Sequence, residues 1–81
     1  MTNTAELTPI VLGTPRGVQH SLRWFAKFPT ERNSCYWTGY ITALYEFDVL
    51  THEQHTVFLA LSGVLQRDQA ICDLLINIIE V

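Results

Sequence analysis

The chain has 81 residues, of which 16% are charged and 48% belong to the hydrophobic class, with a formal net charge of −3. That length excludes a second folded domain, and it leaves so much surface per volume that part of the apolar material must lie at or near the surface. The acidic balance argues against a dedicated nucleic-acid binder, which shows a clear basic excess.

Residues 1–13 are mostly polar up to an apolar run of Pro9, Ile10, Val11 and Leu12. They read as a mobile start followed by a short extended arm that either pairs as an edge strand or lies across a helix groove. Thr14-Pro15 is a helix-start signal, with Thr14 as the N-cap and Pro15 at the first helical position, where its missing N–H costs nothing. Pro29 forces the preceding residue out of the α region, so the first predicted helix covers 15–28. At about 100° per residue, Arg16, His20, Arg23 and Lys27 share a narrow sector, Val18, Leu22 and Phe25 lie opposite, and Trp24 and Phe28 flank the apolar side.

Residues 29–34 form a polar, turn-rich connection in which Asn33 or Ser34 caps a second helix over 35–48. Trp37, Ile41 and Leu44 make its stripe, with Tyr40 and Phe47 beside it and Cys35, Tyr36 and Tyr45 further round. That band is too wide to be buried against one neighbour. Thr51-His52-Glu53-Gln54 reads as a capping box opening a third helix over 52–65, whose stripe is Val57, Phe58, Leu61, Val64 and Leu65 and which Gly63 could end a turn early. The Leu50-Thr51 corner makes the second and third helices an αα-hairpin or a sharp helix-turn-helix corner. A fourth helix over 68–81, capped by Asp68, carries Ile71, Cys72, Leu75, Ile78 and Ile79 at helical spacing, with Leu74, Ile76 and Val81 off that stripe. Apolar positions on several faces place it centrally or at a subunit interface.

The expected fold is a single all-α domain, 1–81, a small bundle of about four helices with an extended N-terminal arm. The alternative is an α+β fold with a short strand near 9–12.

Chemistry-bearing patterns are weak. His52-Glu53-Gln54-His55 is one residue short of HExxH and has no companion ligand pair, so no metal is expected. Cys35 and Cys72 are too few and too far apart for a disulfide framework or a CxxC site, which fits free thiols in a reducing, cytoplasmic compartment. Neither has a base and orienting partner nearby in sequence, as a thiol nucleophile needs. Glu46 and Asp48, two apart, fall on different sides of a helix and make a poor acid/base pair. GxSxG, Walker and GxGxxG patterns do not occur, so the chain reads as no enzyme, with no catalytic or cofactor-binding residues. The start lacks the cationic and apolar regions of a secretory signal, and no apolar stretch reaches the ~20 residues of a membrane span.

Two surfaces rise above this background. Residues 1–32 carry Arg16, Arg23, Lys27 and Arg32 against Glu6 and Glu31, a balance of +2. Residues 33–81 carry Arg67 against Glu46, Asp48, Glu53, Asp68, Asp73 and Glu80, a balance of −5. The basic sector of the first helix suits an acidic protein surface, or the acidic part of a second copy. The other feature is the aromatic set Trp24, Tyr36, Trp37, Tyr40, Tyr45 and Phe47. Trp37 and Tyr40 are expected to be largely buried, leaving Tyr36 and Tyr45 as contact residues. A DNA-reading helix-turn-helix is rejected, because the third helix opens on His52, Glu53, Gln54, His55 and Thr56 with no lysine or arginine before Arg67.

The sequence thus reads as a non-catalytic protein–protein interaction module, a small intracellular adaptor, regulator or inhibitor of a composition that suits phage or mobile-element accessory proteins. The candidate partner-binding residues are Arg16, Arg23, Lys27, Tyr36 and Tyr45. The expected partners are a second copy, in a homodimer joined partly through the last helix, and a protein whose identity these residues withhold. The alternative is a weak nucleic-acid-associated regulator using the basic face; no membrane association is expected.

Overall fold

Helix boundaries in this chain follow the capping residues more closely than the apolar runs. The computed structural model describes residues 4–79. Within them the order is α1 (Thr4–Leu12), α2 (Arg16–Lys27), α3 (Glu31–Glu46), α4 (His52–Val64) and α5 (Gln69–Ile78). No strand occurs among the described residues, so the all-α class stands, with five helices where about four were expected.

The added helix is α1, which replaces both the extended arm and the strand alternative near 9–12. Leu7 and Val11 sit four residues apart on one helix face, and both are buried. Burying two such side chains contributes about 1.5–3 kcal/mol each. That offsets the ~3 kcal/mol cost of a proline inside a helix, which Pro9 imposes on α1. Residues 1–3 of the expected arm and 80–81 of the expected last helix lie outside the described residues.

Thr14 does not cap α2. Pro15 holds the N-cap position with no side-chain cap, while the buried Thr14 turns its hydroxyl back and donates to the Val11 carbonyl at 2.7 Å. Gln19 completes the corner, its side-chain amide donating to the carbonyls of Thr14 at 2.8 Å and Leu12 at 3.3 Å. A buried polar side chain satisfied by backbone in this way fixes how α1 meets α2.

The next helix begins four residues earlier than expected. Thr30, preceded by Pro29, accepts from the Asn33 amide at 3.1 Å and so caps α3. Asn33, which looked like the cap itself, instead donates through its side chain to the Phe28 carbonyl at 2.8 Å and closes the α2–α3 corner. α3 stops at Asp48, which adopts the left-handed conformation at φ 62. The Val49 amide donates to the Leu44 carbonyl at 2.9 Å and the Asp48 amide to that of Tyr45 at 3.1 Å, the paired bonds of a Schellman motif.

The capping box forms as expected. The Gln54 amide donates to the Thr51 hydroxyl at 3.1 Å, and the Thr51 amide donates to the Gln54 side chain at 2.9 Å. Gly63 lies inside α4 and does not shorten it. Asp68 caps α5 by accepting from the Ile71 amide at 3.2 Å.

α3 packs along α4, and α2 packs against both α5 and α3. The expected stripes face inward: Val18, Leu22 and Phe25 of α2 and Phe58 and Leu61 of α4 share one core with Leu7 and Val11 of α1. Trp37 ties three helices together. Its ring lies 6.1 Å from that of Phe25 and 5.5 Å from that of Phe58, and its indole N–H donates to the Phe58 carbonyl at 3.2 Å. On α5, Cys72 and Leu75 are buried, as is Ile79 just beyond it, while Ile71, Leu74, Ile76 and Ile78 pack half-buried against the core. The solvent-accessible surface of 4920 Å² is close to the roughly 5,000 Å² of a folded monomer of this mass. The core therefore closes within one chain.

Candidate interaction surface

The outer side of the α2–α3 pair collects aromatic rings that the core does not take in. Trp24 is 47% exposed, Phe28 52%, Tyr36 60% and Tyr40 37%. Their placement follows from helical spacing: Trp24 and Phe28 are four apart on α2, Tyr36 and Tyr40 four apart on α3, and the Asn33-closed corner brings the two pairs to one side. The Trp24 and Phe28 rings are 6.3 Å apart.

A recess of about 130 Å³ opens between them, lined by Ser21, Trp24, Tyr36, Trp37 and Tyr40. Beside it, sharing Trp24, runs a shallower groove of about 310 Å³ lined by His20, Arg23, Trp24, Lys27 and Phe28. α2 contains no acidic residue. The Arg32 guanidinium sits 5.7 Å over the Tyr36 ring, within cation–π range. The result is an aromatic surface with cations along one edge.

The sequence-derived candidates fall in different places. Lys27 is exposed beside Phe28, and Tyr36 is exposed on the recess. Arg23 borders the groove but is half-buried, its Nε donating to the Ile76 carbonyl at 3.3 Å in the last turn of α5. A cation there suits the negative end of the α5 dipole, so part of its charge serves the fold. Arg16 is exposed at the opposite end of α2, about 16 Å from Lys27 along the axis at ~1.5 Å per residue. It lines a separate recess with Leu12, Gln19 and Ile78.

Tyr45 belongs to another region, the α3–α4 seam. Its ring stacks on His55 at 4.4 Å and 3°, and its hydroxyl lies 3.2 Å from His52 Nδ1. His55 Nε2 is 3.2 Å from the Thr42 hydroxyl. The two histidines of the truncated metal-like pattern therefore hold Tyr45 against α4. Among the described residues, no three histidine, cysteine or carboxylate side chains converge as a metal site would require.

Tyr40, expected inside, stands at the recess rim, while Trp37 is buried as expected. Sequence reasoning gave Trp24 and Phe28 a flanking place on α2 without seeing that they join Tyr36 and Tyr40. The signal available was the i,i+4 spacing of each pair; the missing information was the corner that sets α2 beside α3.

The two thiols differ in kind. Cys35 is exposed, whereas Cys72 is fully buried with its thiol donating to the Leu65 carbonyl at 3.2 Å. Burial pushes the Cys72 thiol above its ordinary value, and the Asp73 and Asp68 carboxylates push the same way. Such a thiol stays protonated and is a poor nucleophile. No helix of the described residues is long and apolar enough to cross a membrane. No protein-family model matches the chain, and neither a curated protein nor a solved structure matches it.

Proposed function

We propose that this chain is a non-catalytic protein–protein interaction module, an adaptor, regulator or inhibitor that works by occupying a partner's surface. Its contact face is the outer side of α2 and α3. The observation that carries this reading is the cluster of Trp24, Phe28, Tyr36 and Tyr40, exposed around a recess beside Lys27 and His20 while the core closes without them. Exposed apolar area of this kind is costly in water and marks contact surfaces, and tryptophan and tyrosine are enriched where binding energy concentrates. The cationic edge selects a partner with carboxylates around an apolar anchor, speeding encounter and rejecting basic surfaces.

The same stacking surface with cations also suits single-stranded nucleic acid. The net charge of −3 weighs against it, because few phosphates could be neutralised.

The test compares capture from cells that make the protein by the immobilised wild type and by a Trp24→Ala/Tyr36→Ser variant, both checked for helix content. A captured protein that the variant loses and that moderate salt weakens supports the reading. Equal capture by both overturns the assignment of the face. A labelled oligonucleotide bound at low salt by the wild type alone would move the function to nucleic acid.

A further inference from the structure

On the far side of the molecule the fold leaves a groove of the opposite character. It is open, about 470 Å³, and its apolar floor comes from Leu7 on α1, Leu61 and Val64 on α4, and Ile71 on α5; Glu6 and Asp68 stand at its rim. A second open groove continues from Glu6 along α1 to Glu53 at the start of α4. No lysine or arginine among the described residues lines either groove. No carboxylate among them lines the grooves around Trp24 and Phe28.

The packing order explains why the two surfaces point apart. α4 pairs with α3, α3 with α2, and α2 with α5, while Leu7 of α1 shares the acidic-rimmed groove with residues of α4 and α5. The aromatic side chains are thus carried by α2 and α3, and the groove by the helices across the bundle from them.

We infer that a second copy of this chain occupies the α1–α4–α5 groove, inserting the Trp24–Phe28 side of its own α2, with Lys27 facing Glu6 and Asp68. The two faces match in polarity and sign: exposed rings beside a cation meet an apolar trough flanked by carboxylates. Lys27 lies within about one turn of Trp24, so its charge flanks the anchor closely. Asp68 keeps one oxygen on the Ile71 amide, leaving the other for a partner.

Because the two faces differ, the contact is heterologous. It leaves a free groove at one end of each pair and a free aromatic face at the other, so it grows into short open chains unless a ring closes. A foreign acidic partner and a second copy then compete for Trp24, and self-association covers the face until the partner arrives. The inference rests on the α2–α3 face being a contact surface, as proposed above.

The experiment is sedimentation velocity on the full chain over rising concentration, at low and moderate salt, with two variants that each disable one face. Trp24→Ala/Lys27→Glu removes the inserting face, and Glu6→Lys/Asp68→Asn removes the two rim charges of the groove while the asparagine keeps an acceptor for the Ile71 amide. The wild type is expected to exceed dimer mass as concentration rises and to fall back toward monomer with salt. Each variant alone should associate roughly thirtyfold or more weakly, as truncating a hot-spot tryptophan does. An equimolar mixture of the two should form a dimer and stop there, because one intact face of each kind remains. That recovery also shows that both variants are folded.

A wild type that stays monomeric into the high-micromolar range at low salt overturns the inference, as does a dimer that survives in both variants. The groove variant separates this idea from the proposed function. Foreign-partner capture that persists in Glu6→Lys/Asp68→Asn, with no self-association of the wild type, sinks the second-copy contact and leaves the α2–α3 face standing.

Discussion

Both tryptophans line the same recess, yet only one of them belongs to the core. Trp37 has its indole N–H on the Phe58 carbonyl and rings of two other helices against it. Trp24, on the neighbouring helix, is half-exposed with Phe28 as its ring neighbour. The cysteines divide the same way, Cys72 closed in beneath Leu65 and Cys35 open to solvent. So do two tyrosines, with Tyr45 clasped by His52 and His55 while Tyr36 stands clear of the core. Residue type alone does not decide between these fates. What decides is whether another helix lies across the position, and around α3 that changes from one side to the other.

The largest expected effect tests the tryptophans against each other. Trp37→Ala should cost about 3–5 kcal/mol, the range for truncating a large aromatic in a core. A domain with a total stability of roughly 5–15 kcal/mol would lose much of its urea midpoint. Trp24→Ala should stay within about 1 kcal/mol, as exposed substitutions do. Equal losses from the two would break the comparison, because Trp24 would then be part of what holds α2 in place.

The cysteines sharpen it. Cys35 should react with a thiol reagent in the folded protein, and Cys72 only at the rate of opening. The pH dependence follows from the Cys72 proton. Its folded pKa lies above the ordinary 9.0, so the folded state holds the proton more tightly than the unfolded chain. This contribution is intact below about pH 9 and is lost as pH rises through the folded value. Urea midpoints measured upward from neutral pH should therefore fall above pH ~9, and Cys72→Ala should show a shallower fall from its own lower starting point. An unchanged slope would mean that the thiolate is tolerated where it stands.

These contrasts also show which parts of the structure were legible in the residues. The stripes of α2 and α4 were, because Val18, Leu22 and Phe25, and then Phe58 and Leu61, repeat at the helical period against a polar remainder. The Thr51–Gln54 box and the Asp68 cap were legible because each is closed by residues three apart. α1 was not, since Pro9 argues locally against the helix that Leu7 and Val11 stabilise only once other helices cover them. Gln19 was not either, because nothing in sequence says that a glutamine will be buried by serving the carbonyls of a corner seven and five residues back. α3 was legible as a helix but not in its rotation, being apolar nearly all round. That left Tyr40 and Tyr45 exchanged in role, and it hid the meeting of Trp24 and Phe28 with Tyr36. Among the contact candidates, the cations could be seen as a row, but the row spans the length of α2, so Arg16 and Lys27 serve different recesses.

The smallest effects come from two aspartates at helix ends, where the contrast extends to sign. Asp68→Ala removes the acceptor of the Ile71 amide and should cost about 1 kcal/mol, the usual loss for an N-cap. Asp48 is held at φ 62 in the turn that ends α3, where a side chain is a liability. Asp48→Gly relieves that conformation but gives the unfolded chain more freedom, so the two effects nearly cancel and a gain of a few tenths of a kcal/mol is expected. Asp48→Val tests the cause, because a β-branched residue tolerates this region worst and should lose about 1 kcal/mol or more. The order glycine, aspartate, valine in thermal midpoint would show that the left-handed turn is what stops α3 and sets Leu50 into the core at the head of α4. A valine variant as stable as the wild type would mean instead that the burial of Leu50 alone draws the chain round, with the paired amide bonds of Asp48 and Val49 as its consequence.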